Sequence, residues 1–458
     1  MPRAYKKEGW QQLRLLTQLP NEPIPKNGGF SFSDPAFASN KTTPVHRWVP
    51  WIAGFASNFV QDALSRHLDR KGVVLDPFAG VGTTLVDAII EGHSAVGFEI
   101  NPYAALACRT KLNAYRIDLM ALTSQIARLY EFWKAEASTD YVPQSSPPKG
   151  FKTRDDFYSP KVLRKVLIIQ DFINTIEETE LRDLFRVAFA STMVRYSNYS
   201  YEPSLGRRVA AGKDKIEDFP VLQAVTGKLV DMADDIAWFQ ERLPHGLPDS
   251  RIIVDSFLRC ENYLTPGSVD LIITSPPYLN NYHYNRNTRP QLYWLGLTSK
   301  PADLQSLETM NFGKFWQTVR NGDEVLLKVP SRNLERKLEI LRAKSPERGQ
   351  YGGAGWANYV ATYFNDSDRF LSQAKRQLRI GGHAVIVVGN SIIQGIEFKV
   401  DQLMAELAEI EGFTVVDVRH VRSKRVGNSI IDSSVRNGRE NGHKQRTQLY
   451  DAAVILRA

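Results

Sequence analysis

Short apolar runs rich in β-branched residues recur along this chain, and longer stretches in which apolar residues return every three or four positions lie between several of them. Val73–Leu75, Ala95–Glu99, Arg251–Val254, Val269–Thr274, His383–Val388, Phe413–His420 and Gln448–Leu456 read as strands. Thr83–Glu91, Asp368–Leu378 and Lys399–Glu411 carry the helical period. Strands alternating with helices predict an α/β fold, a mostly parallel sheet with helices on both faces. Nothing helical separates the last two runs, so they should form an antiparallel hairpin at one edge. Two stretches interrupt this core. Residues 111–249 show helical periodicity through Leu119–Ala137 and Val162–Val194, with a proline-rich break at Pro143–Pro148. Residues 281–364 are aromatic and basic. The expected organisation is an N-terminal extension (1–40), a discontinuous core (41–110, 250–280 and 365–458), a helical insertion (111–249) and a second, basic aromatic insertion (281–364).

Composition narrows the class. A chain of 458 residues exceeds one ordinary core, and 43% apolar with 24% charged residues is a globular composition. No apolar stretch approaches the ~20 residues a membrane helix needs, and no apolar run follows Met1–Lys7 as a signal peptide requires. Cys108 and Cys260 make neither a metal spacing nor a disulfide framework, which fits a reducing, cytoplasmic location. The net charge of +8 suits a polyanionic partner. Between Arg419 and Arg446 eight basic residues face only Asp432 and Glu440, on a glycine-containing segment between two strand-like runs. Charge runs are commonly solvated surface. A mobile basic loop beside a sheet is also what grips phosphates, with Arg422, Lys424, Arg425 and Arg436 as the candidates.

Two strand ends carry the chemistry. The first runs Asp76-Pro77-Phe78-Ala79-Gly80-Val81-Gly82-Thr83-Thr84, a strand, a tight turn and a helix start. Gly80 and Gly82 let the backbone approach a ligand, and Thr83 or Thr84 could cap the helix. A dinucleotide fingerprint would need glycine where Leu85 stands, and no phosphate-gripping lysine follows. The ligand is thus expected to lack phosphates, as S-adenosylmethionine does, with Asp76 near its positive end. Glu99, closing the second strand before Ile100, is placed to accept ribose hydroxyls. The second is Thr274-Ser275-Pro276-Pro277-Tyr278, straight off Val269–Ile273. Proline cannot donate to a ladder, so Pro276 and Pro277 end the strand and hold Ser275 and Tyr278 at the carboxyl edge of the sheet, where doubly wound folds bind ligands.

Together the two motifs resemble the signatures of the S-adenosylmethionine-dependent DNA amino-methyltransferases, over about residues 40–110, 250–295 and 365–458. The resemblance implies a Rossmann-like class I methyltransferase fold. It implies cofactor contacts from Asp76, Phe78, Ala79, Gly80, Gly82, Thr83, Thr84, Glu99, Ile100, Asp255, Ser256 and Thr274, with Phe78 or Phe98 on the adenine ring. An N-terminal segment around His46–Phe59 would close over the methionine end. The base's exocyclic amine is a poor nucleophile because its lone pair is delocalised. The Ser275 hydroxyl and the Pro276 carbonyl can accept its two N–H bonds, and Tyr278 can stack on a base flipped from the duplex. No metal is called for. Tyr282, Tyr284, Arg286 and Arg289, directly downstream, mix aromatic and cationic groups as nucleotide binding does. Tyr293 and Trp294 read equally well as a small local core.

Serine at the first motif position favours N4 of cytosine; N6 of adenine is the alternative, and an RNA base the next. Double-stranded DNA is the expected partner. The chain would be either the modification half of a restriction or defence pair with a cognate nuclease, or an orphan.

Overall fold

The computed structural model describes residues 40–51, 56–137, 139–201, 204–243, 247–279, 284–344, 353–424, 430–431 and 449–458. The N-terminal extension, apart from Asn40, falls outside them. Seven strands form the central sheet: β1 (Val73–Asp76), β2 (Ser94–Phe98), β3 (Ser250–Ile253), β4 (Val269–Thr274), β5 (Leu378–Gly389), β6 (Thr414–Lys424) and β7 (Leu449–Arg457). Their order is β6-β7-β5-β4-β1-β2-β3. The five strands from β5 to β3 are parallel neighbours, and β7 runs antiparallel between β5 and β6. This is the expected Rossmann-like architecture, with the antiparallel pair at one edge.

Alternation along the strands sorts the core into two layers, because successive side chains point to opposite faces. Val74, Leu271, Ile273, Val385 and Val387 face one layer. Leu75, Ile272, Ala384, Ile386 and Val388 face the other. The first layer holds α1 (Ser57–His67), α2 (Thr83–Ile90) and α3 (Pro102–Leu112). The helical insertion extends that same core through α4 (Leu119–Ala137), α5 (Pro160–Asn174), α6 (Thr179–Thr192) and α7 (Val221–Arg242). The Val162–Val194 periodicity thus resolves into two helices, separated where Thr175 caps α5.

The segment after β4 crosses from one layer to the other. Leu292, Trp294 and Leu307, the last on α8 (Pro301–Met310), belong to the first core. Phe312 and Trp316 belong to the second, with α9 (Arg332–Ala343), α10 (Trp356–Gln377) and α11 (Val400–Ile410). The crossing at Met310–Phe312 passes over the carboxyl edge of the sheet. Helix α10 begins at Trp356, well before the expected Asp368: its first turns bury Trp356, Tyr359, Val360, Tyr363 and Phe364 in the second core, and that burial overrides their weak helix preference. Tyr293 and Trp294 are buried, against Phe151 and Tyr158 respectively, and so act as core.

Candidate active site

The turn after β1 is organised from beneath by Asp76. Its carboxylate is 2% exposed and accepts from the Phe78 amide (3.0 Å), the Thr84 hydroxyl (2.7 Å) and the Thr274 hydroxyl (2.6 Å). One side chain therefore ties together the turn, the start of α2 and the end of β4. Burial lifts its pKa to about 6 against these hydrogen bonds. Asp76 does not line the cleft above it; it shapes the turn that does. Thr84 is committed to Asp76, and the N-cap of α2 is Gly82 in a left-handed conformation, so neither threonine is the cap. Thr83, Thr84, Ala79 and Thr274 are all buried in this framework.

Glu99 grips the turn from β2. Its two oxygens accept the Gly80 amide (2.9 Å) and the Asn101 amide (2.7 Å), and burial lifts its pKa to about 7. Gly80 has φ +51°, and a Cβ there would come within 3.0 Å of Trp51 Nε1. The N-terminal segment thus lies over the glycine turn, with Trp51 facing the cleft while Trp48 is wholly buried. Two carboxylates fasten that segment. Asp87 accepts from Ser57 Oγ (2.9 Å) and lies 3.1 Å from His46 Nε2. Asp235 of α7 accepts from the Val45 amide (2.9 Å), Trp48 Nε1 (3.0 Å) and Arg47 Nη2 (2.7 Å).

A cleft opens along this edge. Pro77, Phe78, Gly80, Glu99, Ile100, Asp255, Ser256, Ser275 and Pro277 line it, which brings the ends of β1, β2, β3 and β4 to one site. Asp255 is held below the ordinary carboxylate range: burial pushes it up, but hydrogen bonds from Tyr263 (2.7 Å), the Ser256 amide (2.7 Å) and Arg259 outweigh that. Phe78 packs edge-on against Phe312 (5.1 Å), whereas Phe98 is fully buried against Phe257 (5.4 Å), which leaves Phe78 the more accessible ring. Trp51, Phe98, Asn101, Phe257, Asn285, Met310, Asn311 and Phe312 complete the wall. Of these, Asn101 carried a sequence signal, an asparagine before proline at a helix start, and it does cap α3. Met310, Asn311 and Phe312 carried none.

At the end of β4, the Ser275 hydroxyl donates to the Val387 carbonyl on β5 (3.2 Å). Its proton is thereby committed, and its lone pairs are left to accept. Tyr278 lies against Gly389 at the end of β5, where a Cβ would come within 2.9 Å of the ring. Leu279 is buried, and its carbonyl accepts from Tyr359 of α10.

Residues 38–108 match a family model described as DNA methylase. Over 432 residues the chain is 24% identical to the type II methyltransferase M.BsoBI of Geobacillus stearothermophilus, covering 86% of this chain and 83% of that one. It is 24% identical to the type II methyltransferase M.AvaI of a Nostoc species (83% and 81% covered) and 23% identical to the type II methyltransferase M.MvaI of Kocuria varians (83% of each). Together these matches support an amino-methyltransferase family for this chain. As a DNA methyltransferase it needs a methyl donor. No helix among the described residues is long and apolar enough to cross a membrane.

The residues expected to face nucleic acid in this methyltransferase fare differently. Arg286 is exposed. Arg289 donates to the Lys152 carbonyl (2.9 Å) and lies over the Phe151 and Tyr293 rings, so it serves packing between the insertions. Arg422 pairs with Asp451, which is 0% exposed, because the β6–β7 register sets the two residues opposite each other. Tyr282, Arg425 and Arg436 lie outside the described residues, and Tyr284 and Lys424 are described in backbone only.

Proposed function

We propose that this methyltransferase transfers a methyl group from S-adenosylmethionine to N4 of cytosine in double-stranded DNA, by base flipping and direct in-line attack. The observation that carries the reading is Ser275 and Pro277 of the Ser275-Pro276-Pro277-Tyr278 motif lining the cleft, with the serine hydroxyl already donated to Val387. The cleft suits the cofactor. Its glycine turn has no room for a Cβ at Gly80, which would press on Trp51, and its lining residues Asn285 and Asn311 each keep a buried amide donor without a protein partner. Gly80, Glu99, Asp255 and Phe78 would hold the nucleoside, over the framework made by Asp76, Ala79, Gly82, Thr83, Thr84 and Thr274. Ile100 and Ser256 would add wall contacts. When bound, the cofactor supplies a methyl activated by its sulfonium.

The chain's own residues do the rest. Ser275 Oγ and the Pro276 carbonyl accept the two N–H bonds of the target amine, and this drives its nitrogen towards tetrahedral geometry. The prolines fix those acceptors before the base arrives, so no ordering cost falls on the reaction step. Tyr278, backed by Gly389, stacks on the flipped base. Tyr282, Tyr284, Arg286 and the basic loop around Lys424, Arg425 and Arg436 meet the duplex. A cognate nuclease would make this chain the protective half of a restriction or defence pair.

Tritiated methyl transfer to duplex DNA tests the assignment. Ser275→Ala and Tyr278→Ala should keep cofactor affinity and lose most transfer. Stacking alone is worth ~1–3 kcal/mol. Full activity in both variants would place the chemistry elsewhere.

A further inference from the structure

The segment joining β4 to α10 contributes two asparagines to the cleft that belong to neither motif. Asn285 is 3% exposed and Asn311 is 8% exposed. Among the described residues, they are the two cleft-lining residues with a buried side-chain donor that lacks a protein partner, in each case the amide Nδ2. The orientation of Asn285 follows from its neighbour. Asn101 Oδ1 is occupied by the Tyr103 and Ala104 amides at the start of α3, so Asn101 Nδ2 must do the donating. It points towards Asn285 at 3.4 Å, which requires an oxygen there and turns the Asn285 Nδ2 away. Asn311 sits at the layer crossing. On one side of it Met310 Sδ lies 3.3 Å from Arg259, the partner of Asp255; on the other the Phe312 ring meets Phe78. The two amides thus stand next to the Glu99 turn and between the Asp255 loop and the glycine turn.

A buried donor without an acceptor is costly, so two of them on residues that line one cleft call for an acceptor from outside the protein. We propose that Asn285 and Asn311 are cofactor-binding residues, each donating an amide N–H to an acceptor atom of bound S-adenosylmethionine. This rests on the reading that the cleft holds that cofactor. The second insertion would then build part of the cofactor pocket as well as the face offered to DNA.

The signature separates a ligand contact from a structural one. Without ligand neither donor is satisfied by protein, and Asn101 Nδ2 keeps the Thr288 hydroxyl (2.8 Å) as its acceptor when the Asn285 oxygen is removed, so the truncations should not weaken the fold. Asn285→Ala and Asn311→Ala should leave the melting temperature of the ligand-free protein unchanged or higher. Each should bind S-adenosylhomocysteine about 5- to 20-fold more weakly by calorimetry, as loss of one hydrogen bond implies. Asn285→Asp, which keeps the oxygen for Asn101 and the side-chain volume, should also bind more weakly. Wild-type affinity in all three variants overturns the inference and leaves the cofactor reading standing, as does a fall in ligand-free melting temperature with no change in affinity. Failure of the wild-type protein to bind S-adenosylhomocysteine overturns both.

Discussion

Asp76 offers the sharpest test of how the glycine turn is held, because alanine and asparagine there should behave oppositely. Asp76→Ala removes the acceptor from three donors at a site 2% exposed. The Thr84 hydroxyl lies 3.5 Å from the Ile273 carbonyl and can turn to it, whereas the Phe78 amide cannot move without opening the turn. One stranded amide at ~1–3 kcal/mol and two weakened hydroxyl bonds give a loss of about 3 kcal/mol. Asp76→Asn keeps an oxygen for Phe78 and Thr274, and the Thr84 hydroxyl can accept from the new amide. It also removes a charge whose burial lifts the carboxylate from 3.8 to about 6. The folded protein therefore holds this proton more tightly than the unfolded chain, and the group's contribution to stability falls as pH rises from about 4 to 6 and beyond. The asparagine variant should stay within ~1 kcal/mol of wild type at pH 5 and gain on it by about 1 kcal/mol by pH 7. Denaturant titrations at both pH values read these differences directly. Cofactor affinity should fall at least about tenfold in the alanine variant and much less in the asparagine variant, since the turn and not the charge is what the ligand meets. An alanine variant as stable as wild type, or an asparagine variant that loses ground between pH 5 and 7, would refute this view of the turn.

Glu99, lifted to about 7, should accept ribose hydroxyls well only when ionised, so S-adenosylhomocysteine affinity should rise about tenfold from pH 6 to pH 8; in Glu99→Gln that rise should vanish. Gly80→Val places a side chain at φ +51° against Trp51 and should weaken cofactor binding by about tenfold or more, as calorimetry on the folded variant would show. Arg422→Ala removes an ion pair from Asp451, which is 0% exposed, and should cost about 3 kcal/mol by denaturant titration, whereas neutralising Lys424 and Arg425 should leave stability alone and reduce the salt slope of DNA binding by about 2. Equal stability effects from the two sets would remove the distinction between a structural and a phosphate-facing arginine.

The core strands are legible because each is a short apolar run of its own: β4 matches its run end to end, and β1 differs by one residue. Strand β5 begins earlier than expected, at Leu378, through a Gly-Gly pair that reads as a turn. The strand persists because the Gly381 amide bonds to the Ala458 carbonyl and the Ala458 amide to the Gly382 carbonyl, partners some 75 residues away. The site divides in the same way. Its glycines and prolines stand out because local backbone geometry demands them. Asn311 and Met310 do not, because only the passage of the chain from one layer to the other sets them in the cleft. The pairing of Arg422 is hidden for the same reason: a basic run gives no hint of the strand register that puts Asp451 opposite it.

The most direct test of the central claim is nucleoside analysis by mass spectrometry of DNA from cells expressing this chain. Its product should be N4-methylcytosine, present with the wild-type protein and absent with Ser275→Ala. N6-methyladenine in its place would contradict the assignment of cytosine, and methyl groups found only in RNA would contradict the assignment of DNA.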